Sequence, residues 1–205
     1  MFRRPLAAAG RVHFVTRIAI VDPQPAVRAG LTALLRSEPG LVPVGSAGTA
    51  EEALELVARC APDLVLLDPY LGVDDGLQLC RRIAADGGPR VVAYTEVSDP
   101  SLEVALRVAS ADGIVDKQAA PEELFEALRV VARGRTSLPP LTPGQLRAAA
   151  ARVESDDLAL LAMLVDRTPT ADVADTLRLD PRRMARRIER LLARLRPRAG
   201  TPAAA

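Results

Sequence analysis

Between residues 17 and 134, short apolar runs alternate with longer amphipathic stretches, and this rhythm leaves few folds open. Ile18-Ala19-Ile20-Val21 stops at Asp22, and Leu64-Val65-Leu66-Leu67 stops at Asp68. Arg90 to Tyr94 stops at Thr95, and Gly113 to Asp116 stops at Lys117. Short apolar runs of this kind suit strands covered on both faces. Leu41 to Ala47 supplies a further strand. The stretches between them have helical spacing: Pro25 to Arg36, a helix from an N-cap at Thr49 to Cys60, Gly76 to Ala85, Pro100 to Ala109, and Pro121 to Arg133. Glu51 and Glu52 fall in the first turn after Thr49, and Gly87-Gly88-Pro89 and Gly134 punctuate the pattern.

Strands alternating with helices imply an α/β domain: a doubly wound, five-stranded parallel sheet of flavodoxin-like topology, with helices on both faces. In such sheets ligands bind beyond the carboxyl ends of the strands, where the strand order reverses. The pattern therefore gathers two carboxylates, a hydroxyl and an ammonium in one crevice: Asp22, Asp68, Thr95 and Lys117. Lys117 is the only lysine among 27 basic residues. In a chain so biased toward arginine, it marks a place for a compact ammonium rather than a guanidinium. Two neighbouring carboxylates repel, and a divalent cation relieves this. A carboxylate so held can attack a phosphoryl group, whose oxygens then need a cation and a hydroxyl, the roles open to Lys117 and Thr95.

The remainder of the chain is different. Gly134 to Gly144 is rich in Pro and Gly, and residues 135–155 read as a linker holding one short helix, Gln145 to Arg152. Residues 156–196 form a small all-α module with helices over Asp157–Asp166, Thr170–Leu177 and Pro181–Leu195. Val173, Ala174, Leu177, Leu179, Met184, Ile188 and Leu191 pack two helices across the turn Arg178-Leu179-Asp180, with Asp180 as N-cap and Pro181 as the first helical residue. This is a helix-turn-helix pattern. The net charge of +1 conceals its basicity: Arg182 to Arg198 contains eight arginines and one acid, Glu189. The second helix is expected to expose Arg182, Arg183, Arg186, Arg187 and Arg190, suited to double-stranded DNA. A merely solvated basic face on a helical hairpin is the alternative.

Composition narrows the setting. With 26% charged and 49% hydrophobic residues, the chain has the profile of a folded soluble protein. No apolar run reaches the roughly 18 residues that span a bilayer, so no membrane association is expected. Residues 1–16 read as a disordered basic extension and 197–205 as a disordered tail. Cys60 and Cys80 are expected as buried, reduced thiols of a cytoplasmic protein, and one histidine, His13, leaves no zinc site.

Val21-Asp22-Pro23-Gln24-Pro25, Asp63 to Asp68, Asp75-Gly76, Thr95 and Gly113-Ile114-Val115-Asp116-Lys117 occur in the order and at the spacing of bacterial response-regulator receiver domains, and residues 17–134 resemble that family. The resemblance implies Asp68 as phosphoacceptor, Thr95 as switch hydroxyl and Lys117 as the phosphate-contacting lysine. It further implies a Mg2+ site of Asp22, Asp68 and the Tyr70 backbone carbonyl, and a sensor histidine kinase as partner. Residues from Asp157 to Leu195 resemble the LuxR-type (NarL/FixJ-like) DNA-binding domain, Ala171 to Leu177 as scaffold helix and Asp180 to Arg190 as recognition helix.

The chain also departs from these patterns. Pro23 replaces the second acid of the family, which weakens the expected Mg2+ site; Pro69, Gly72 and Ile114 replace an aliphatic residue, a proline and an aromatic switch residue. Ala185 and Arg187 stand where the DNA-binding family commonly has lysine and histidine, and its fourth, dimerising helix has no counterpart here. Three modes of control stay open: weak phosphorylation, control by a ligand or partner, and constitutive dimerisation. A phosphohydrolase would need an acid where Tyr70 stands, so no enzyme is expected. The expected function is a homodimeric, DNA-binding transcriptional response regulator. The rival is an adaptor that does not bind DNA.

Overall fold

A computed structural model describes residues 15–72, 74–96 and 100–196. The tail expected at 197–205 and most of the extension expected at 1–16 lie outside the described residues. Thr16 does not belong to an extension: it opens the first strand, and its backbone N–H donates to the Gly40 carbonyl at 2.8 Å.

The elements run β1 (Thr16–Val21), α1 (Pro25–Arg36), β2 (Leu41–Ala47), α2 (Ala50–Cys60), β3 (Leu64–Leu67), β4 (Tyr70–Leu71), β5 (Asp74–Asp75), α3 (Gly76–Ala84), β6 (Arg90–Thr95), α4 (Pro100–Val108), β7 (Gly113–Asp116) and α5 (Pro121–Ala132). Then come α6 (Pro143–Ala150), α7 (Leu158–Val165), α8 (Thr170–Leu177) and α9 (Pro181–Leu195). The five main strands form one sheet in the order β2-β1-β3-β6-β7, every neighbouring pair parallel. The order reverses between β1 and β3, so the carboxyl ends of these strands flank the crevice where such folds take their ligands. The antiparallel β4–β5 hairpin, Tyr70 opposite Asp75, is absent from the sequence reading because two-residue strands leave no periodic signal.

Strand residues alternate between two cores, as pleating requires. Ile18, Ile20, Leu64, Leu66, Val92 and Val115 pack with Leu31 and Leu35 of α1 and with Leu124, Phe125, Leu128 and Val131 of α5. Ala19, Val21, Val65, Leu67, Val91 and Ala93 face the other way, toward α2, α3 and α4. That second core does not end at the receiver. It continues through α4 into Leu160, Leu161 and Leu164 of α7, Val173 of α8, and Met184, Ile188, Leu191, Leu192 and Leu195 of α9.

Residues 135–155, which join the two modules and hold α6, pack along the receiver as a strap. Thr136 Oγ1 donates to the Asp112 carbonyl at 2.8 Å, and the Ser137 N–H donates to the same carbonyl at 2.9 Å. A Cβ at Gly113 would come within 2.1 Å of Ser137 Oγ, so the strap crosses β7 where no side chain intervenes. Leu138 and Ala149 are buried, Thr142 and Gln145 form a capping box on α6, and Gln145 Nε2 donates to Glu103 of α4 at 2.7 Å. Cys80 is buried as expected and Cys60 only half-buried.

Gly76 fixes how the Asp68 loop meets α3. A Cβ there would stand 2.4 Å from the Pro69 carbonyl oxygen and 2.8 Å from the Pro69 Cα. These are backbone atoms, so the loop must move. Gly76→Ala is expected to destabilise the chain by roughly 1–3 kcal/mol, as overpacking does, read from the midpoint of urea denaturation.

Candidate functional site

Three of the four strand-end residues meet side chain to side chain, Asp22, Asp68 and Lys117, and Thr95 ends the neighbouring strand β6. Asp22 is fully buried, and Asp68 and Thr95 are buried close by. Backbone hydrogen bonds extend the sheet past the strand ends and fix these positions: Asp22 N–H to the Ala47 carbonyl, Asp68 N–H to the Val21 carbonyl, and Lys117 N–H to the Thr95 carbonyl. Lys117 Nζ bridges the two acids, 2.6 Å from Asp22 Oδ2 and 2.8 Å from Asp68 Oδ2. The other carboxylate oxygens accept backbone amides: Gln24 N–H to Asp22 Oδ1 and Tyr70 N–H to Asp68 Oδ1, both at 2.8 Å. Arg28 braces the turn after β1, donating to the Asp22 carbonyl at 2.7 Å.

Two buried acids thus share one buried ammonium. Burial holds the Asp68 carboxyl above the ordinary carboxylate value, opposed by the hydrogen bonds from Lys117 and Tyr70. Burial works to lower Lys117, but its hydrogen bonds to Asp22 and Asp68 prevail and raise it above the ordinary lysine value. Tyr94 completes the wall. Lys117 Nζ lies 5.8 Å from the centre of its ring, and its hydroxyl donates to the Lys117 carbonyl at 3.4 Å. Sequence reasoning passed over Tyr94 as a strand residue. Its place immediately before Thr95 was the available signal.

For a divalent cation the crevice offers only oxygen donors, a hard set suited to magnesium. It has two carboxylates, Asp22 and Asp68, and Pro23 brings none. Tyr70, whose carbonyl is the third ligand the sequence reading implies, stands in β4 beside the crevice. No group of three or more acids, histidines or cysteines placed for a metal occurs among the described residues. The residues fit magnesium in kind and are one acid short in number.

At the other end of the chain, Asp180 caps α9, accepting the N–H groups of Arg182 and Arg183 at 3.1 and 3.0 Å. Arg182, Arg183, Arg186 and Arg190 are exposed on one side of the helix. Arg187 corrects the expectation of five exposed arginines. It turns inward, its Nε donating to Asp157 Oδ1 at 2.8 Å and its Nη2 to the Asp156 carbonyl. Asp157 is buried, so Arg187 is its counter-ion.

A doubly wound sheet with an acid pair and a lysine at its switch point defines a signalling receiver with a docked helical module. Residues 18–129 match the family model described as the response regulator receiver domain, and the chain belongs to that family. It is 37% identical over 119 residues to the nitrate/nitrite response regulator protein NarP of Escherichia coli, covering 58% of this chain and 55% of that protein. The chain thus spans about half the length of that relative. It is 29% identical over 192 residues, 88% of each chain, to the DNA-binding transcriptional activator DevR/DosR of Mycobacterium tuberculosis. Among solved structures, a LuxR-family two-component response regulator from Aurantimonas sp. SI85-9A1 aligns with a TM-score of 0.57 and 32% identity, over 68% of this chain and 99% of that one.

Lys117→Met removes the only cation between Asp22 and Asp68. Breaking a buried pair in this way costs roughly 3–5 kcal/mol at neutral pH. Because the folded Asp68 value is raised, its stabilisation is full below the ordinary carboxylate range and is lost as pH rises through the raised value. Without Lys117 that value climbs further. Urea midpoints should therefore show a larger loss at pH 8 than at pH 5, and an equal loss at both would refute this account.

Proposed function

We propose that the chain is a DNA-binding transcriptional regulator, acting in the cytoplasm, whose receiver governs a helix-turn-helix output. The observation that carries this reading is α9: a capped helix with Met184, Ile188, Leu191 and Leu195 buried and Arg182, Arg183, Arg186 and Arg190 exposed on the opposite side. Such a helix fits a major groove, with its amino-terminal arginines closest to the bases. The printed names of NarP, a response regulator, and DevR/DosR, a DNA-binding activator, support the same reading. Dimerisation through the receiver or the strap would suit a two-fold DNA site.

Arg186→Ala should weaken binding to upstream DNA of the chain's own operon by roughly 1–3 kcal/mol and lower the salt slope by about one. Arg187→Ala should instead lower stability by stranding Asp157. A gel shift across salt concentrations reads the first effect, and no shift at low salt would favour an adaptor.

Within the receiver, Asp68 is proposed as phosphoacceptor. A carboxylate oxygen of Asp68 attacks phosphorus on a donor such as the phosphohistidine of a sensor kinase; a P–O bond forms, the P–N bond breaks, and the imidazole leaves with a proton. Lys117 then transfers its contact from Asp68 to a phosphoryl oxygen, and Thr95 donates its hydroxyl to another. Magnesium, when bound by Asp22, Asp68 and the Tyr70 carbonyl, supplies positive charge to the phosphoryl oxygens. Pro23 makes that binding weak. Acetyl phosphate with magnesium should add a phosphoryl mass to the wild type and none to Asp68→Asn, at a higher magnesium requirement than a receiver with both acids. No adduct, with that receiver modified in parallel, would rule out Asp68 as acceptor. Control by a ligand or partner, which the missing acid favours, would then stand.

A further inference from the structure

A cavity of about 420 Å3 opens where the receiver meets the carboxy-terminal helices. Its size falls within the ~300–1,000 Å3 of small-molecule sites. Arg81 of α3, Arg90 at the start of β6, and Ser110 and Asp112 between α4 and β7 line the receiver side. Arg167, Thr168 and Thr170, where α7 passes into α8, line the other. Arg90 opens the strand that Thr95 closes, so the cavity lies roughly 17 Å, a strand's length, from the Asp68 crevice.

The lining is unbalanced in charge. Three guanidiniums face one carboxylate, Asp112. That carboxylate is buried and fully used: Oδ1 is shared by Arg90 at 3.0 Å and Arg167 at 3.2 Å, and Oδ2 accepts the Val91 N–H at 3.1 Å. Arg167 also donates to the Ala111 carbonyl. Arg81 reaches the hydroxyls of Ser110 and Thr170. Like charges gathered in a half-covered joint are costly unless an anion joins them.

The backbone supports a use for these side chains. Ser110 and Arg167 close α4 and α7 in the left-handed region, with φ of 65° and 59°. The Ala111 N–H reaches back to the Leu106 carbonyl, and the Thr168 N–H to the Met163 carbonyl, the hydrogen bonds of a glycine-favouring helix end. Among the described residues only four non-glycines have positive φ, and two of them line this one cavity with side chains that engage there.

We propose that the interdomain cavity binds a small phosphorylated anion. Arg81, Arg90 and Arg167 hold its phosphate oxygens through their planar donor forks. Since the arginines come from both modules, the anion ties the carboxy-terminal helices to the receiver. The site is independent of phosphoryl chemistry at Asp68 and of the DNA-facing arginines.

Isothermal titration of the full chain with inorganic pyrophosphate and, separately, with adenosine diphosphate tests this at constant ionic strength. Saturable binding of either anion to one site is expected, weakened roughly tenfold or more by Arg81→Gln and by Arg90→Gln. Circular dichroism establishes that both variants are folded. The Arg186→Ala variant, altered on the DNA-facing side, should bind the anion as the wild type does. Saturable binding of neither anion, wild-type affinity in either cavity variant, or loss of binding in Arg186→Ala would each overturn the proposal.

Discussion

One ammonium holds the crevice together. Lys117 reaches back from the edge strand β7 to acids at the ends of β1 and β3, across the breadth of β6. Its two short contacts sit where water is excluded, so removing it leaves two buried acids without a counter-charge. The turn after β1 and the loop after β3 take their shape from the same pair of carboxylates, through the Gln24 and Tyr70 amides. An arginine would spread its charge over a planar fork too large for the gap. This is the physical content of the single lysine in an arginine-rich chain.

The second organising fact is α4. Leu102, Val104, Ala105, Leu106 and Val108 are all buried, a set too wide for one helix face. A helix apolar over so much of its circumference must be covered by more than one neighbour. The sheet and α3 cover part of it, and α6, α7 and α9 cover more. The two modules therefore share a core instead of being joined by a free tether. Further bonds run alongside: Gln78 Nε2 donates to the Glu189 carbonyl of α9 at 3.0 Å, and Arg107 donates to the Pro139 carbonyl of the strap. α4 follows the strand that ends at Thr95 and touches α9 directly, and α3, which follows the Asp68 loop, touches α9 as well.

Much of this was readable from the chain. Short, mostly apolar strand runs ending in Asp22, Asp68, Thr95 and Lys117 placed the crevice because strand direction and sheet type follow from the alternation with helices. The Asp180-Pro181 cap of α9 was readable for a similar local reason. What failed depended on distant partners. Arg187 lies three residues from Met184 and four from Leu191, at the border of the buried stripe, and only Asp157, thirty residues away, decides that it turns inward. The packing of the strap was not readable either, because the burial of Leu138 and Ala149 depends on distant neighbours and leaves no local pattern. The cavity at Asp112 draws arginines from three separate segments, and no spacing rule joins Arg81, Arg90 and Arg167.

Pro23 then reads as more than a missing ligand. Two carboxylates and one ammonium leave the crevice with a single excess negative charge; a further acid at position 23 would leave two. Lys117 already offsets half of the charge of the two carboxylates. The proline also fixes its own φ and, with Pro25 opening α1, stiffens the turn that delivers the Gln24 amide to Asp22. The crevice is thus organised in advance by covalent stiffness and an internal counter-ion, where a receiver with two adjacent acids depends more on a bound ion. A site so satisfied at rest gains less from magnesium and gives up more when Lys117 leaves Asp68. Phosphoryl transfer must displace that contact, which makes the Lys117–Asp68 bond the barrier that any phosphate-driven signal in this chain has to cross.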